Sequence, residues 1–352
     1  MVRPVVVSLA AASVVAIGAA GVWAATDSGS AGRAVPAAAS AQAAAGPKLV
    51  IPSNFPDPGV IKVGTTFYAY ATNSHGKNMP VASARSARGP WSILAADGLP
   101  RLGEWAKAGK TWAPDVSRRK DGKFLLYYAA HNAALNRQCV GVAVASSPAG
   151  PFAPSGTKPL VCDAPAGAHQ GKLNPEIIDA AGYEEAGRRY LLYKVGYNQY
   201  HKPSFLALQR MSADGLHRVG KPKVILKQTN EPYTVEAPYL VHRGGKYVLF
   251  YSAGVFSKDN YQTRYAVASS LGGPYKKAAK PLMTTAGFGR KVNGPGGAVV
   301  VADAGSWRIF FHGAILVGPP PKPDPSPQPK KLQRGMYEAD LRWSKSGLPY
   351  VP

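Results

Sequence analysis

The chain has 352 residues, 45% hydrophobic and 10% aromatic, which excludes disorder over the whole length and allows a large buried core. Its 18 Tyr, 38 Gly and 32 Pro describe strands and turns rather than a helical bundle. Against 42 Lys and Arg stand 19 Asp and Glu, a formal charge of +23. No long basic run or nucleic-acid motif accompanies that charge, so nucleic acid is not an expected partner, and each scarce acid beside an apolar run becomes a candidate for chemistry.

In chain order, Arg3 precedes an apolar run from Val5 to Trp23, and Val22-Trp23-Ala24 offers a small-residue cleavage context. This reads as an export leader, 1–24, cut after Ala24. The rival is a retained anchor, since the run is just long enough to span a bilayer. Its Ala, Ser and Gly content favours cleavage, which leaves no membrane contact in the mature chain. Residues 25–46 are Ala/Gly/Ser-rich without periodicity and read as a flexible tether. The folded domain is expected over 47–352.

From there one phrase recurs about every 60 residues: a polar or Pro-containing entry, an apolar strand, a turn, then an aromatic strand. The copies are DPGVIKVGTTFYAYAT from Asp57, APDVSRRKDGKFLLYYAA from Ala113 and IDAAGYEEAGRRYLLYKV from Ile178. EAPYLVHRGGKYVLFYSAG from Glu236 and GPGGAVVVADAGSWRIFFHG from Gly294 complete the set. Between them lie further strand–turn–strand signals, VASARSARGPWSIL, VGVAVASSPAGPFAP, FLALQRMSADGL and YAVASSLGGPYKKA. Three of these share Gly-Pro-aromatic turns: Gly89-Pro90-Trp91, Gly150-Pro151-Phe152 and Gly273-Pro274-Tyr275. Five copies with about four strands each predict an all-β fold, a five-bladed β-propeller. Cys139 and Cys162 flank one stretch of the second repeat. No other Cys or His stands at ligand spacing, so they read as a disulfide, worth about 3 kcal/mol for a loop of this size in an oxidising compartment. Gly318–Pro329 is mostly proline and reads as a stiff solvated loop.

In a propeller the first strand of every blade lines the central channel, so equivalent repeat positions converge. The repeat starts are Asp57, Ala113, Asp179, Glu236 and Gly294, three carboxylates in an acid-poor chain. Two carboxyl groups flanking a glycosidic bond supply a general acid and a general base, and a third raises the acid's affinity for its proton. A structural calcium site and ordinary turn chemistry are the competing readings of the same residues.

The segments NFPDPGVIKVGTTFYAYAT, TWAPDVSRRKDGKFLLYYAA, IIDAAGYEEAGRRYLLYK, TVEAPYLVHRGGKYVLFYSAG, VNGPGGAVV and RGMYEADLRWSKSGLPY resemble glycoside hydrolase family 43 from about Pro52 to the C-terminus. The resemblance implies a five-bladed propeller acting by inversion on arabinan or arabinofuranosyl-bearing polysaccharide. It implies Asp57 in FPDP as general base, Glu236 in VEAP as general acid and Asp179 in IIDAAG as the residue that tunes and orients that acid. Inversion predicts the Asp57 and Glu236 carboxyls about 6.5–9.5 Å apart. The Cys139–Cys162 pair looks like a feature of secreted arabinanase-like members. Two departures stand out. Ile178-Asp179-Ala180 replaces an Ile-Asp-Pro, and Asn174-Pro175-Glu176 offers a rival alignment with Asn174 in the acid's place. Gly294-Pro295-Gly296-Gly297 replaces Gly-Pro-Gly-His, whose His helps bind a channel metal in relatives. No metal ligand is therefore assigned, no cofactor is required, and a channel calcium is left open. Expected substrate contacts are Trp112, Phe55, His312 and Arg334. The chain is thus expected to be a secreted monomer cleaving a polysaccharide or oligosaccharide. A β-xylosidase, a non-catalytic carbohydrate-binding propeller and a charge-driven cell-wall adhesin are the alternatives.

Overall fold

A computed structural model of the chain describes residues 46–315 and 332–352. The expected leader, almost all of the tether and the proline-rich segment lie outside the described residues. Twenty-one strands build five antiparallel sheets, and among the described residues the one helical element is a 3-10 turn at Asn198–Tyr200.

The first strand, β1 (Lys48–Ile51), belongs to the last blade. Blade 1 is β2 (Gly59–Val63), β3 (Thr66–Tyr70), β4 (Pro80–Ala84) and β5 (Ser92–Asp97). Blade 2 is β6 (Ala106–Arg118), β7 (Phe124–Asn132), β8 (Arg137–Ala145) and β9 (Ala153–Pro154). Blade 3 is β10 (Glu176–Glu185), β11 (Arg188–Gly196), β12 (Phe205–Met211) and β13 (Arg218–Lys227). Blade 4 is β14 (Val235–Arg243), β15 (Lys246–Ala253), β16 (Gln262–Ala268) and β17 (Lys276–Lys277). Blade 5 runs β18 (Asn293–Asp303), β19 (Ser306–Ile315), β20 (Gln333–Trp343) and then β1, with β21 (Pro349–Tyr350) also on β20. The inner strands touch in the order β2, β6, β10, β14, β18 and back to β2, which closes the ring.

The aromatic strands are buried on both faces because each sheet is packed between two neighbours. All but one residue of FLLYYAAHN in β7 is buried. The core accordingly forms five wedges, one per blade seam. Tyr70 and Val81 meet Val116 and Tyr128 between blades 1 and 2, and Tyr127 and Val142 meet Leu191 and Tyr193 between blades 2 and 3. Leu192 and Leu206 meet Leu249 and Tyr251 at the next seam, and Val248 and Phe250 meet Ile309 and Phe311 at the fourth. Phe310 and Met336 meet Ile51, Val60 and Phe67 where the ring closes.

The three Gly-Pro-aromatic turns serve one purpose: each joins the third strand to the fourth in blades 1, 2 and 4, with its glycine in the left-handed region and a cis Gly-Pro bond. Cys139 on β8 is bonded to Cys162, beside the bridge that Val140 makes with Val161. The closing seam carries ion pairs as well as apolar contacts: Lys62 with Asp303 at 2.6 Å, and Arg88 with the buried Glu338 at 3.0 Å.

The fifth blade is built from both ends of the chain. RGMYEADLRW is the blade's third strand, and its fourth is supplied from the other end of the chain, with Lys48 opposite Glu338 and Ile51 opposite Met336. Antiparallel pairing of the two ends covers the edge that β20 would otherwise leave and makes the four-residue β1 the outer strand of the blade.

Candidate active site

At the equivalent point on or just ahead of each inner strand stands a residue with positive φ: Asp57 (53°), Ala113 (44°), Asp179 (55°), Ala237 (50°) and Gly297 (62°). These are the true five-fold equivalents. Glu236 lies one residue before its ring position and Gly294 three before, a correction to the repeat starts read from sequence. In four blades the strand is irregular at this point, with register shifts at Trp112/Asp115, Ile178/Ala181, Glu236/Tyr239 and Gly296/Val299. Left-handed non-glycine residues cost on the order of 1–3 kcal/mol each and persist where surrounding structure holds them.

Here the holding contacts come from the preceding blade. The Ala113 amide donates to Thr72 Oγ1 (2.9 Å), the Ala237 amide to Asp179 Oδ2 (2.9 Å) and the Gly297 amide to Ser252 Oγ (2.8 Å). The Asp57 amide donates to His312 Nδ1 (3.1 Å). Four of the five ring amides are thus capped across a seam. At the remaining seam Asp115 Oδ2 accepts from the Gly182 amide at 2.8 Å. A Cβ at Gly297 would come within 2.9 Å of His312 Nδ1, so glycine there makes room for the imidazole.

Asp57, Asp179 and Glu236 all line one cleft of about 380 Å³, within the range of small-ligand sites. Trp112, Lys194, Phe256, Tyr261 and Arg334 share its wall. Arg334 clasps Asp57 with two bonds, Nη1 to Oδ1 at 2.7 Å and Nη2 to Oδ2 at 3.1 Å, while the Thr72 hydroxyl donates to Oδ2 at 2.6 Å. Burial alone would push the Asp57 carboxyl up. The Arg334 charge and the Thr72 hydroxyl bond outweigh it and hold Asp57 below the usual carboxylate range. Asp179 goes the other way. Burial and the nearby Glu236 charge raise it to about 7, against the pull of Lys194 and the Ala237 amide. Glu236 accepts from Lys194 Nζ at 2.6 Å on Oε2 and from the Tyr261 hydroxyl at 2.8 Å on Oε1. Tyr261 stacks flat on His312, ring centroids 5.5 Å apart, linking the Glu236 side of the cleft to the Asp57 side. Burial pushes the His312 imidazole down to about 3, so it is neutral.

The other expected positions divide. Trp112 and Arg334 face the cleft, and the Arg334 guanidinium lies over the Phe256 ring at 4.9 Å. Phe55 does not face it: its side chain is 0% exposed and packs in the closing wedge. His312 is equally buried and reaches the cleft through Asp57, Tyr261 and Arg334. Both are corrections to the expectation of sugar contact. Asn174 is exposed ahead of β10, and Asp179 holds the ring position. Sequence reasoning missed Thr72, Lys194 and Tyr261. Only Lys194 left a signal, a lone charge inside the apolar strand YLLYKVG.

A calcium ion wants about six to eight oxygen ligands. Among the described residues no group of three or more His, Cys, Asp or Glu side chains is placed to hold a metal, and Asp57 is already committed to Arg334 and Thr72. The donor set does not fit such an ion.

Carboxyl groups held at different protonation tendencies beside one cleft are the equipment of glycosidic-bond hydrolysis. Fold and cleft together define a propeller glycoside hydrolase. The chain belongs to the family described as Glycosyl hydrolases family 43, matched over residues 47–349. It is 26% identical over 312 residues to "Extracellular endo-alpha-(1->5)-L-arabinanase 1" of Bacillus subtilis, covering 83% of this chain and 86% of that one. It is 25% identical over 252 residues to "Extracellular endo-alpha-(1->5)-L-arabinanase 2" of the same organism, covering 66% of this chain but 52% of that one, so it spans about half the length of that relative. Among solved structures, a thermostable family-43 glycoside hydrolase superposes with a TM-score of 0.69 at 22% identity, covering 85% of this chain and 93% of that one.

Proposed function

We propose that the protein is a secreted inverting glycosidase that cleaves arabinofuranosyl linkages in arabinan. The observation that carries this reading is the convergence of Asp57, Asp179 and Glu236, from three different blades, on one cleft. The relatives named as extracellular endo-arabinanases support the sugar and, with the leader, export. In this reading Asp57 is the general base. Arg334 and Thr72 keep it ionised, so it can take a proton from a water attacking the anomeric carbon. Glu236 protonates the leaving oxygen from the other face of the sugar. Asp179, whose Oδ2 accepts from the amide of Ala237, fixes the backbone beside Glu236 and stores a proton near it. Trp112 gives one wall of the cleft an apolar face for a sugar ring.

The test is hydrolysis by the mature protein of arabinan, arabinoxylan and the nitrophenyl glycosides of arabinofuranose and xylose. Release of arabinose or arabino-oligosaccharides, with the inverted anomer formed first by proton NMR, is the expected result. Product size distinguishes endo from exo action. Preference for the xyloside would move the assignment to a xylosidase. Sugar binding without turnover would make the protein a carbohydrate-binding propeller.

A further inference from the structure

Lys194 is a cation where the strand pattern calls for an apolar residue. It sits in β11 between Tyr193 and Val195, both 0% exposed, and opposite Ile178 on β10. Its ammonium donates to Glu236 Oε2, while the Tyr261 hydroxyl donates to Oε1. Both oxygens of Glu236 therefore act as acceptors, each with one of its two lone pairs engaged. An acid poised to protonate a sugar needs the opposite arrangement, with one oxygen bearing hydrogen and aimed into the cleft.

The charged and titratable groups around this contact are few. Asp179 and Glu176 approach Lys194 from β10, Glu236 from β14, and Tyr261 faces Glu236 from the segment before β16. Asp57 lies further across the cleft, neutralised by Arg334. Lys194 is thus the only cation recorded against Glu236 among the described residues.

We propose that Lys194 is a positioning residue that engages Glu236 Oε2 in the free enzyme and thereby sets the alkaline limit of activity. The inference rests on the assignment of Glu236 as general acid. Burial works against the ammonium, but the surrounding acids outweigh it and raise its proton affinity, so Lys194 stays charged and is not itself the proton donor. The proton of the pair rests on Asp179 instead, in keeping with the upward displacement of that carboxyl beside a charged Glu236. Catalysis then requires the proton to reach Glu236 and the Lys194 contact to loosen, and both become harder as pH rises.

The test compares pH profiles of kcat/KM on nitrophenyl arabinofuranoside for the wild type, Lys194→Met, Lys194→Gln and Lys194→Arg. Removing the charge should move the alkaline limb up by one pH unit or more, about tenfold in rate above the wild-type limb, with KM little changed. Lys194→Arg should restore the wild-type limb. A purely structural lysine would lower kcat at every pH and leave the limb where it is. That result in Lys194→Gln, with normal thermal unfolding, overturns the proposal. A readout without turnover separates this failure from failure of the assignment itself. The chain has seven glutamates, so the Glu236 signal can be followed in a 13C-glutamate NMR titration, identified by its loss in Glu236→Gln. A wild type without glycosidase activity sinks the assignment alone. An identical Glu236 titration in wild type and Lys194→Met sinks the role given to the lysine.

Discussion

At the scale of single residues, two aspartates on equivalent strands are driven in opposite directions by their neighbours. Asp57 is held below the ordinary carboxylate range, so as the proposed base it stays competent until the pH falls through that lowered value. Asp179, raised to about 7, gives up the proton of the acid pair as the pH climbs through 7. The kcat/KM profile should therefore be a bell with its acid limb below the usual carboxylate range and its alkaline limb near 7. Arg334→Met removes the largest counterweight to the burial of Asp57 and should move the acid limb upward, read from the same profile. Asp57→Asn and Glu236→Gln should each lower kcat by about 10²–10⁴ with retained binding of arabino-oligosaccharide, measured by calorimetry.

At the scale of elements, the decisive feature is the left-handed residue at each inner-strand entry, because it fixes which side chains face the cleft. The five copies and the Gly-Pro-aromatic turns were legible from residue type and spacing, since aromatic strands between two sheets leave a strong apolar period. The conformation at the strand entry was not. Glu236 reads as the equivalent of Asp57, yet the turn falls on Ala237. The carboxylate one residue earlier therefore meets Lys194 and Tyr261, while the Asp179 carboxylate meets the Ala237 amide. Phe55 was misread because nearness to Asp57 in sequence fixes no direction: on a regular extended chain residues two apart share a face, but the left-handed Asp57 (φ 53°) breaks that alternation, and Phe55 points into the core. The KLVI strand was also missed, being too short to show a period. Its contribution is measurable. Ile51→Ala should cost about 2–4 kcal/mol in chemical denaturation, because Ile51 fills the closing wedge against Phe67 and Phe310.

At the scale of the whole molecule, the seam contacts make the site a property of the ring. Each catalytic candidate is oriented by, or orients, a group from the blade next to it: His312 for Asp57, Asp179 for Ala237. Asp115 plays the matching part between blades 2 and 3, and burial raises its carboxyl to about 7. A carboxyl whose folded value is raised adds stability fully present below its unfolded value near 4 and lost as the pH rises through about 7. Asp115→Asn keeps an oxygen acceptor for the Gly182 amide without the charge. Its melting temperature relative to wild type should therefore be more favourable at pH 8 than at pH 5, by scanning calorimetry. The ring also has a fixed order of completion, because β1 has no partner until β20 exists, nearly 300 positions later in the chain. During synthesis, KLVI emerges early and must wait exposed. The latch on the propeller therefore shuts only after the last blade is out, and any pause before β20 leaves a sticky, unlatched intermediate for chaperones or proteases to find.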